Sequence, residues 1–405
     1  MLRHFQISRF LLPSLFCLWL VGLAGPGTAQ VVFLQPDALE KAMFHLMDKW
    51  QVHGASVALV EDGMVVWEEG YGWAEMEAWL PALPDTVFQA ASISKAVSAA
   101  VVLRMVQAGL LDLDEPVSRY VTRWRLPESE FDPDEVTLRR ILSHTAGLSV
   151  PGYLGFLSDQ PVQTLEASLT SASDAGDRGV VVILSPGEQW AYSGGGYTLM
   201  ELLLEEVTGR PFSQVARDLI LNPLGMESSS FGDDPRLYGR KARSYTADNA
   251  AVPERRFAAL AAAGLWATAG DLGRFVAGLT ASATEEGGRG ASLGLERSLL
   301  RDMLSPQPGA NSGLVFAGSR WGLGLGLLDL PDGQGLLAFH PGDNLPAWHS
   351  FLAFLPGHEP DGSQVRGIAV LTNGEHGDEL VLDVVCLWLE ATGGRGVTEC
   401  LERTP

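Results

Sequence analysis

The chain has 405 residues, 46% of them hydrophobic and 19% charged, with 28 Lys and Arg against 49 Asp and Glu and a formal net charge of −21. That acidic balance repels phosphate backbones and anionic lipid surfaces, which sets nucleic acid and peripheral membrane binding aside. The three cysteines and eight scattered histidines form no cluster with metal-ligand spacing, so neither a metal nor another cofactor is expected.

In chain order, Met1-Leu-Arg-His4 and Arg9 precede an apolar run from Phe10 to Gly25, followed by the small residues Gly27 and Ala29. A run this short of a full span of ~20 residues, with a basic start and a small-residue end, reads as an export signal cleaved after Ala29. The alternative is an anchor that stays attached. Cleavage removes Arg3 and Arg9 and no acid, taking the charge from 28 − 49 = −21 to 26 − 49 = −23. The expected product, residues 30–405, is one exported domain, periplasmic or secreted, with no stable membrane anchor. Cys386 and Cys400 could pair in an oxidising compartment. Equally, Cys386 could remain a buried thiol in the apolar stretch 381–389.

An opening helix is expected over 36–50, then strands over 55–60 and 64–67 joined by the turn Glu61-Asp62-Gly63. From 93 to about 304 the pattern is mostly helical, with helices over 93–108, 138–143, 197–207, 212–221 and 269–279. Strands return over 324–330, 335–339, 349–354 and 366–371, and a helix over 379–391 closes the chain. Residues 281–295 and 356–362 read as exposed loops, and 164–172 as a lid helix. Strands at both ends with helices between them predict an α+β fold. An antiparallel sheet built from both termini (about 30–87 and 310–392) is flanked by helices, with a mainly helical lobe (about 88–309) inserted and a cleft where the two meet.

Ser92 falls at that junction, and Lys95 follows one helical turn later on the same face. Burial disfavours an ammonium, so a desolvated Lys95 offers a neutral amine as base to a serine hydroxyl. Of the four lysines, only Lys95 has a serine three positions before it. The bland alternative is an exposed lysine on a surface helix; the stretch 96–106, apolar all round, favours a buried helix instead.

In Ser185-Pro-Gly-Glu-Gln-Trp-Ala-Tyr-Ser-Gly-Gly-Gly-Tyr197, Tyr192 could share a proton with Lys95, although spacing alone favours a core aromatic. The glycines lack a following Gly-Lys-Ser/Thr and form no phosphate cradle. His340 lies between two expected strands and is evenly balanced between a turn histidine and a donor to substrate. His144 ends a helix, where the dipole favours a partly charged imidazole and Gly147 completes the turn; a structural role is expected there.

Taken together, Ala91-Ser-Ile-Ser-Lys95, Val136-Thr-Leu-Arg-Arg-Ile-Leu-Ser-His-Thr-Ala-Gly-Leu148, Pro186-Gly-Glu-Gln-Trp-Ala-Tyr-Ser193, Thr208-Gly-Arg-Pro-Phe212, Asn222-Pro-Leu-Gly-Met226, Ala262-Ala-Gly-Leu-Trp-Ala-Thr-Ala-Gly-Asp-Leu272 and Leu371-Thr-Asn-Gly374 resemble the serine β-lactamase-like hydrolases. These include class C β-lactamases, D-alanyl-D-alanine carboxypeptidases, D-aminopeptidases and related esterases. The resemblance covers nearly all of the chain after residue 29. It implies Ser92 as nucleophile and Lys95 as its proton partner, with Tyr192 opening the Tyr-x-Asn motif and His340-Pro-Gly342 in the place of Lys-Thr-Gly. It also implies an oxyanion hole from the backbone N–H groups of Ser92 and Asp343, with Gly342 and Gly194 at the substrate site. Gly194 stands where penicillin-hydrolysing members carry asparagine, and His340 where they carry a lysine that pairs with a carboxylate. The expected activity is hydrolysis of a small ester, amide or peptide through a Ser92 acyl-enzyme, more esterase- or peptidase-like than penicillin-hydrolysing. The alternatives are a β-lactamase or D,D-carboxypeptidase, and a non-catalytic binding protein on the same scaffold.

Overall fold

The computed structural model describes residues 36–281, 291–331, 335–357 and 365–392; the export segment, Cys400 and most of the two expected loops lie outside them. The chain runs α1 (Pro36–Trp50), β1 (Gly54–Glu61), β2 (Met64–Glu75), β3 (Leu80–Pro81), β4 (Phe88–Ala91), α2 (Ile93–Gln107), α3 (Leu138–Leu142), β5 (Phe156–Leu157) and α4 (Leu165–Thr170). It continues with α5 (Gly194–Thr208), α6 (Phe212–Ala216), β6 (Ser230–Phe231), β7 (Ser244–Tyr245), β8 (Ala251–Val252), β9 (Arg255–Arg256), α7 (Leu260–Ala263), β10 (Leu265–Ala267) and α8 (Ala269–Ala281). The last part is α9 (Arg297–Met303), β11 (Arg320–Trp321), β12 (Gly326–Asp329), β13 (Leu336–Asn344), β14 (Trp348–Leu355), β15 (Arg366–Thr372) and α10 (Gly377–Ala391).

The eight-stranded sheet has the order β11-β12-β13-β14-β15-β1-β2-β3. Its strands pair antiparallel, so the two chain ends meet at β15 and β1, with Ala58 opposite Ala369. Successive side chains of a strand point to opposite faces. Val57 and Leu59 pack with α1 and α10, while Ala58 and Val60 pack into the core that holds α2 and α8. Burial on both faces is why residues 57–60 are apolar without a break.

Three features differ from the expectations. The middle of the chain also contains strands: β4, β10 and β6 form a three-stranded sheet, and β5–β9 and β7–β8 form two small pairs. Elements of two to four residues are too short to show a period of two. Next, α8 lies within the inserted stretch yet packs on β1, β2 and β15. Gly273 permits that approach, since a Cβ there would sit 2.9 Å from a methyl of Val65. Finally, β13 runs on through His340, Pro341, Gly342 and Asp343 to Asn344, paired with β14 throughout, so this segment is strand rather than connection.

Smaller differences follow from packing. The helix expected over 212–221 is α6 followed by a π-helical turn, Arg217–Leu221. In the stretch read as an exposed loop, Leu293 and Leu295 are buried. The expected lid helix is α4, shorter at both ends, with Leu169 buried against the core. Among the described residues no helix is long and apolar enough to cross a membrane.

Candidate active site

The site starts where β4 turns into α2. Ala91 takes a φ of +47°, a left-handed conformation that costs a residue with a Cβ free energy and that clusters at functional sites. Ser92 is the N-cap of α2, yet its side chain makes no capping hydrogen bond. Its hydroxyl accepts a hydrogen bond from Lys95 Nζ at 3.1 Å, and the same Nζ donates to the carbonyl of Ala262 at 2.8 Å. Lys95 is 2% exposed. Burial brings its pKa down to about 7, so near neutral pH a large fraction is the free amine.

The Ala262 carbonyl is itself positioned. Glu201, buried on α5, accepts from the Ala261 amide at 2.7 Å at the start of α7. Burial raises its carboxyl pKa well above the ordinary range, which favours the protonated form. A single acid within the apolar stretch 197–204 is the sequence signal that would have marked it.

Tyr192 comes from the loop that leads into α5. The Ser92 side chain is near enough to act against the rise of its phenol pKa, and Lys95 Nζ lies 4.9 Å from its ring centroid. Burial raises the phenol above its usual pKa. Tyr192 is therefore a protonated hydroxyl at neutral pH, and Lys95 is the stronger candidate for base.

His144 differs from the partly charged helix-end residue expected. It is 1% exposed, and its pKa is lowered well below the ordinary value by burial, then by Lys95 and His340. The dipole of the five-residue α3 does not offset that loss of water. The neutral ring lies 4.3 Å from that of Tyr192, centroid to centroid. This contact depends on two segments far apart in sequence, so no local pattern reveals it.

On the sheet side, His340 is fully buried and does not line the cleft. Burial, then the neighbouring Lys95, lowers its pKa to about 3, so it presents no charge to a substrate carboxylate. Gly342 is fixed by space: a Cβ there would lie 2.6 Å from the Ala90 carbonyl oxygen and 3.1 Å from the Ser92 nitrogen. Glycine thus lets β13 lie against the turn that carries Ser92. Asn344 fastens the strand end, donating to Gln89 Oε1 at 2.8 Å and to the Ala263 carbonyl at 3.1 Å.

Asp343 lines the cleft and pairs with His349 Nδ1 at 2.6 Å. Burial lowers the His349 pKa, but Asp343 and then Asp378 raise it, and the net shift is upward. Gly194 does not line the cleft. It sits buried in the first turn of α5 against Pro151 and Tyr153, because the helix begins three residues earlier than expected.

Ser92, Lys95, Tyr192 and Asp343 share a cleft of about 900 Å³. Tyr153, Asp174, Arg178, His349 and Asp378 also line it. Asp174 Oδ2 accepts from the Gly155 amide at 3.2 Å, and burial raises its pKa. Among the described residues no group of three or more His, Cys, Asp or Glu could hold a metal ion.

A model of the Beta-lactamase family matches residues 39–384. The chain belongs to the beta-lactamase family. Members of this family are serine hydrolases that work through an acyl-enzyme, and the sheet with its flanking helices is the family's fold. Protein flp of Staphylococcus aureus (strain MW2) is 29% identical over 189 residues, 46% of this chain and 36% of that protein. The match therefore spans well under half the length of that relative. An octameric penicillin-binding protein homologue from Pyrococcus abyssi superposes with a TM-score of 0.71 at 24% identity, covering 87% of this chain and 77% of its own. A class C beta-lactamase gives 0.66 at 19% identity, covering 86% and 95%. At these identities the two structures speak for the fold alone.

Proposed function

We propose that this protein is an exported serine hydrolase that cleaves a small ester, amide or peptide through a Ser92 acyl-enzyme, and that it is more esterase- or peptidase-like than penicillin-hydrolysing. The observation that carries the reading is Lys95, buried, brought to a pKa of about 7 and hydrogen-bonded to Ser92 Oγ at 3.1 Å.

Ser92 Oγ attacks the carbonyl carbon as Lys95 Nζ takes its proton, and the carbonyl oxygen becomes an oxyanion. The backbone N–H groups of Ser92 and Asp343 are the assigned donors to it. The proton then passes by way of the Tyr192 phenol to the leaving oxygen or nitrogen, the C–O or C–N bond breaks, and the acyl group stays on Ser92. A water repeats the sequence: it gives a proton to Lys95 and attacks the acyl carbon, the bond to Ser92 Oγ breaks as that proton is returned to Oγ, and the acid leaves with Ser92 and Lys95 restored.

Two observations support the substrate preference. His340, in the place of a carboxylate-pairing lysine, is neutral and buried behind the cleft. The cleft walls carry Asp174, Asp343 and Asp378 against Arg178 and the Asp343-bound His349, an acidic excess that disfavours an anionic substrate. The export part of the reading rests on residues 1–29.

The test is hydrolysis of a short-chain nitrophenyl ester by the protein without residues 1–29 and by Ser92→Ala, with a chromogenic cephalosporin alongside. Ester turnover lost in Ser92→Ala, with little cephalosporin cleavage, is the expected result. Fast cephalosporin cleavage would establish a β-lactamase instead, and full activity in Ser92→Ala would remove the nucleophile assignment.

A further inference from the structure

Tyr192 is held on both sides by one residue. The Ala191 amide donates to the His144 carbonyl at 2.8 Å, and the Ser193 amide donates to His144 Nδ1 at 3.2 Å. With the ring packed against the phenol between them, tilted by 37°, His144 grips the tripeptide 191–193 by backbone and side chain together. It does so from a φ of +58°, a strained conformation for a residue with a Cβ.

The ring nitrogens carry the argument further. An amide N–H donating to Nδ1 fixes Nδ1 as an acceptor, so the hydrogen of the neutral His144 ring sits on Nε2. His340 is the reverse case. Its Nδ1 faces the Pro341 carbonyl at 2.6 Å, and a carbonyl only accepts, so Nδ1 carries the hydrogen and Nε2 is a bare lone pair. Each Nε2 is buried and has no hydrogen-bond partner in the protein. One is a donor and the other an acceptor. Both rings pack on Trp321, at 5.4 Å for His144 and 5.3 Å for His340.

We infer that His144 is a positioning residue for Tyr192, and that one buried water joins its Nε2–H to Nε2 of His340. The water accepts from His144 and donates to His340, which satisfies two buried polar atoms that are otherwise costly. The result is a continuous chain: Ser193 N–H to His144, His144 through water to His340, and His340 to the Pro341 carbonyl. It ties the loop carrying Tyr192 to the strand carrying Gly342 and Asp343. The two sides of the reaction centre are thereby held in register from behind, out of reach of substrate.

The positioning role rests on the proton-relay role proposed for Tyr192, so the test includes a readout independent of turnover. Nitrogen-detected magnetic resonance of the histidine-labelled protein at pH 7, recorded also in Ser92→Ala, should show opposite neutral tautomers. His144 carries its hydrogen on Nε2 and His340 on Nδ1, and the His144 ring hydrogen exchanges slowly with solvent. His144→Asn is the matched variant: asparagine tolerates a positive φ, and its Oδ1 can still accept from Ser193. The link to His340 is lost, together with the ring's contacts with Tyr192 and Trp321. The His340 nitrogen signals should then shift, and kcat on the nitrophenyl ester should fall about 10- to 100-fold at nearly constant KM, as small misplacements of a reacting group do.

The same tautomer on both rings, or a charged His144 at pH 7, would overturn the chain. So would His340 signals unmoved in His144→Asn. An unchanged kcat beside shifted His340 signals would keep the link and overturn the positioning role.

Discussion

Folding carries the Lys95 ammonium from water into a site 2% exposed, and the hydration it loses is what lowers its pKa from 10.5 to about 7. The shift of 10.5 − 7 = 3.5 corresponds to roughly 5 kcal/mol against the charged form, at about 1.4 kcal/mol per unit. Below pH 7 both folded and unfolded chains hold the proton, and the folded state bears the whole cost. Between pH 7 and 10.5 the unfolded chain keeps the proton that the folded chain releases, so stability rises with pH. Lys95→Met should therefore be more stable than the parent at pH 7, by several kcal/mol at most, and the gap should close towards pH 10. Urea titrations at the two pH values check this; a gap that widens with pH would contradict the burial argument. The variant should have no esterase activity. In the parent, activity should climb as pH rises through about 7, when Lys95 becomes the free amine. At this scale Ser92 and Lys95 were legible, because their spacing along one helix places them together. Tyr192 and His340 were candidates beside a structural alternative, and the family resemblance was what favoured them. The neutrality of His144 follows from burial by several distant segments, which no local pattern encodes.

Among the elements, β13 carries the most consequence. Pro341-Gly342 reads as a turn in sequence, yet the residues pair in register with β14, Gly342 opposite Ser350. Proline is tolerated in a strand where no ladder bond needs its nitrogen, and glycine where another backbone comes close. Gly342→Ala would push β13 away from the Ala90 carbonyl and the Ser92 amide. We expect kcat/KM to fall about 10²- to 10³-fold, the range for loss of one oxyanion donor. Circular dichroism should remain that of the parent, and a variant with parental kinetics would show that the close approach is dispensable. Long elements with a clear apolar pattern were read well: α1 matches its expected bounds, and α2 differs at its end by one residue. The strands of two to four residues were not, because their existence is decided by the partner strand rather than by their own side chains.

Across the whole molecule, separated parts of the chain meet at single residues. Asn373, fully buried after β15, donates to the Trp73 carbonyl at 3.0 Å and to the Arg243 carbonyl at 2.7 Å. It thus joins the amino-terminal strands, the inserted stretch and the carboxy-terminal strands. Asn373→Ala leaves both carbonyls without that donor, and a loss of about 2–4 kcal/mol is expected at ~1–3 kcal/mol per unsatisfied buried group. Denaturant unfolding should register this as one lowered transition; two separate transitions would mean that the parts unfold independently. Arg139 makes a second junction, binding Asp114 at 2.7 Å and Asp302 at 2.6 Å. The order of the large segments was legible because apolar runs gather at both ends of the chain. The return of α8 to the sheet was not, since an amphipathic pattern tells that a helix has an apolar face but not what covers it.

That return has a further meaning. The inserted stretch leaves the eight-stranded sheet after β3 and is fastened to it again by α8, so it is anchored at two places rather than suspended from one. A body fixed at both ends resists swinging like a jaw, and the cleft behaves as a socket whose width is set when the chain folds. Under the function proposed above, substrates would then be sorted by fit at its rim. A change of preference would come from exchanging the rim loops around Tyr153 and Arg178, with the Ser92–Lys95 machinery left in place beneath them.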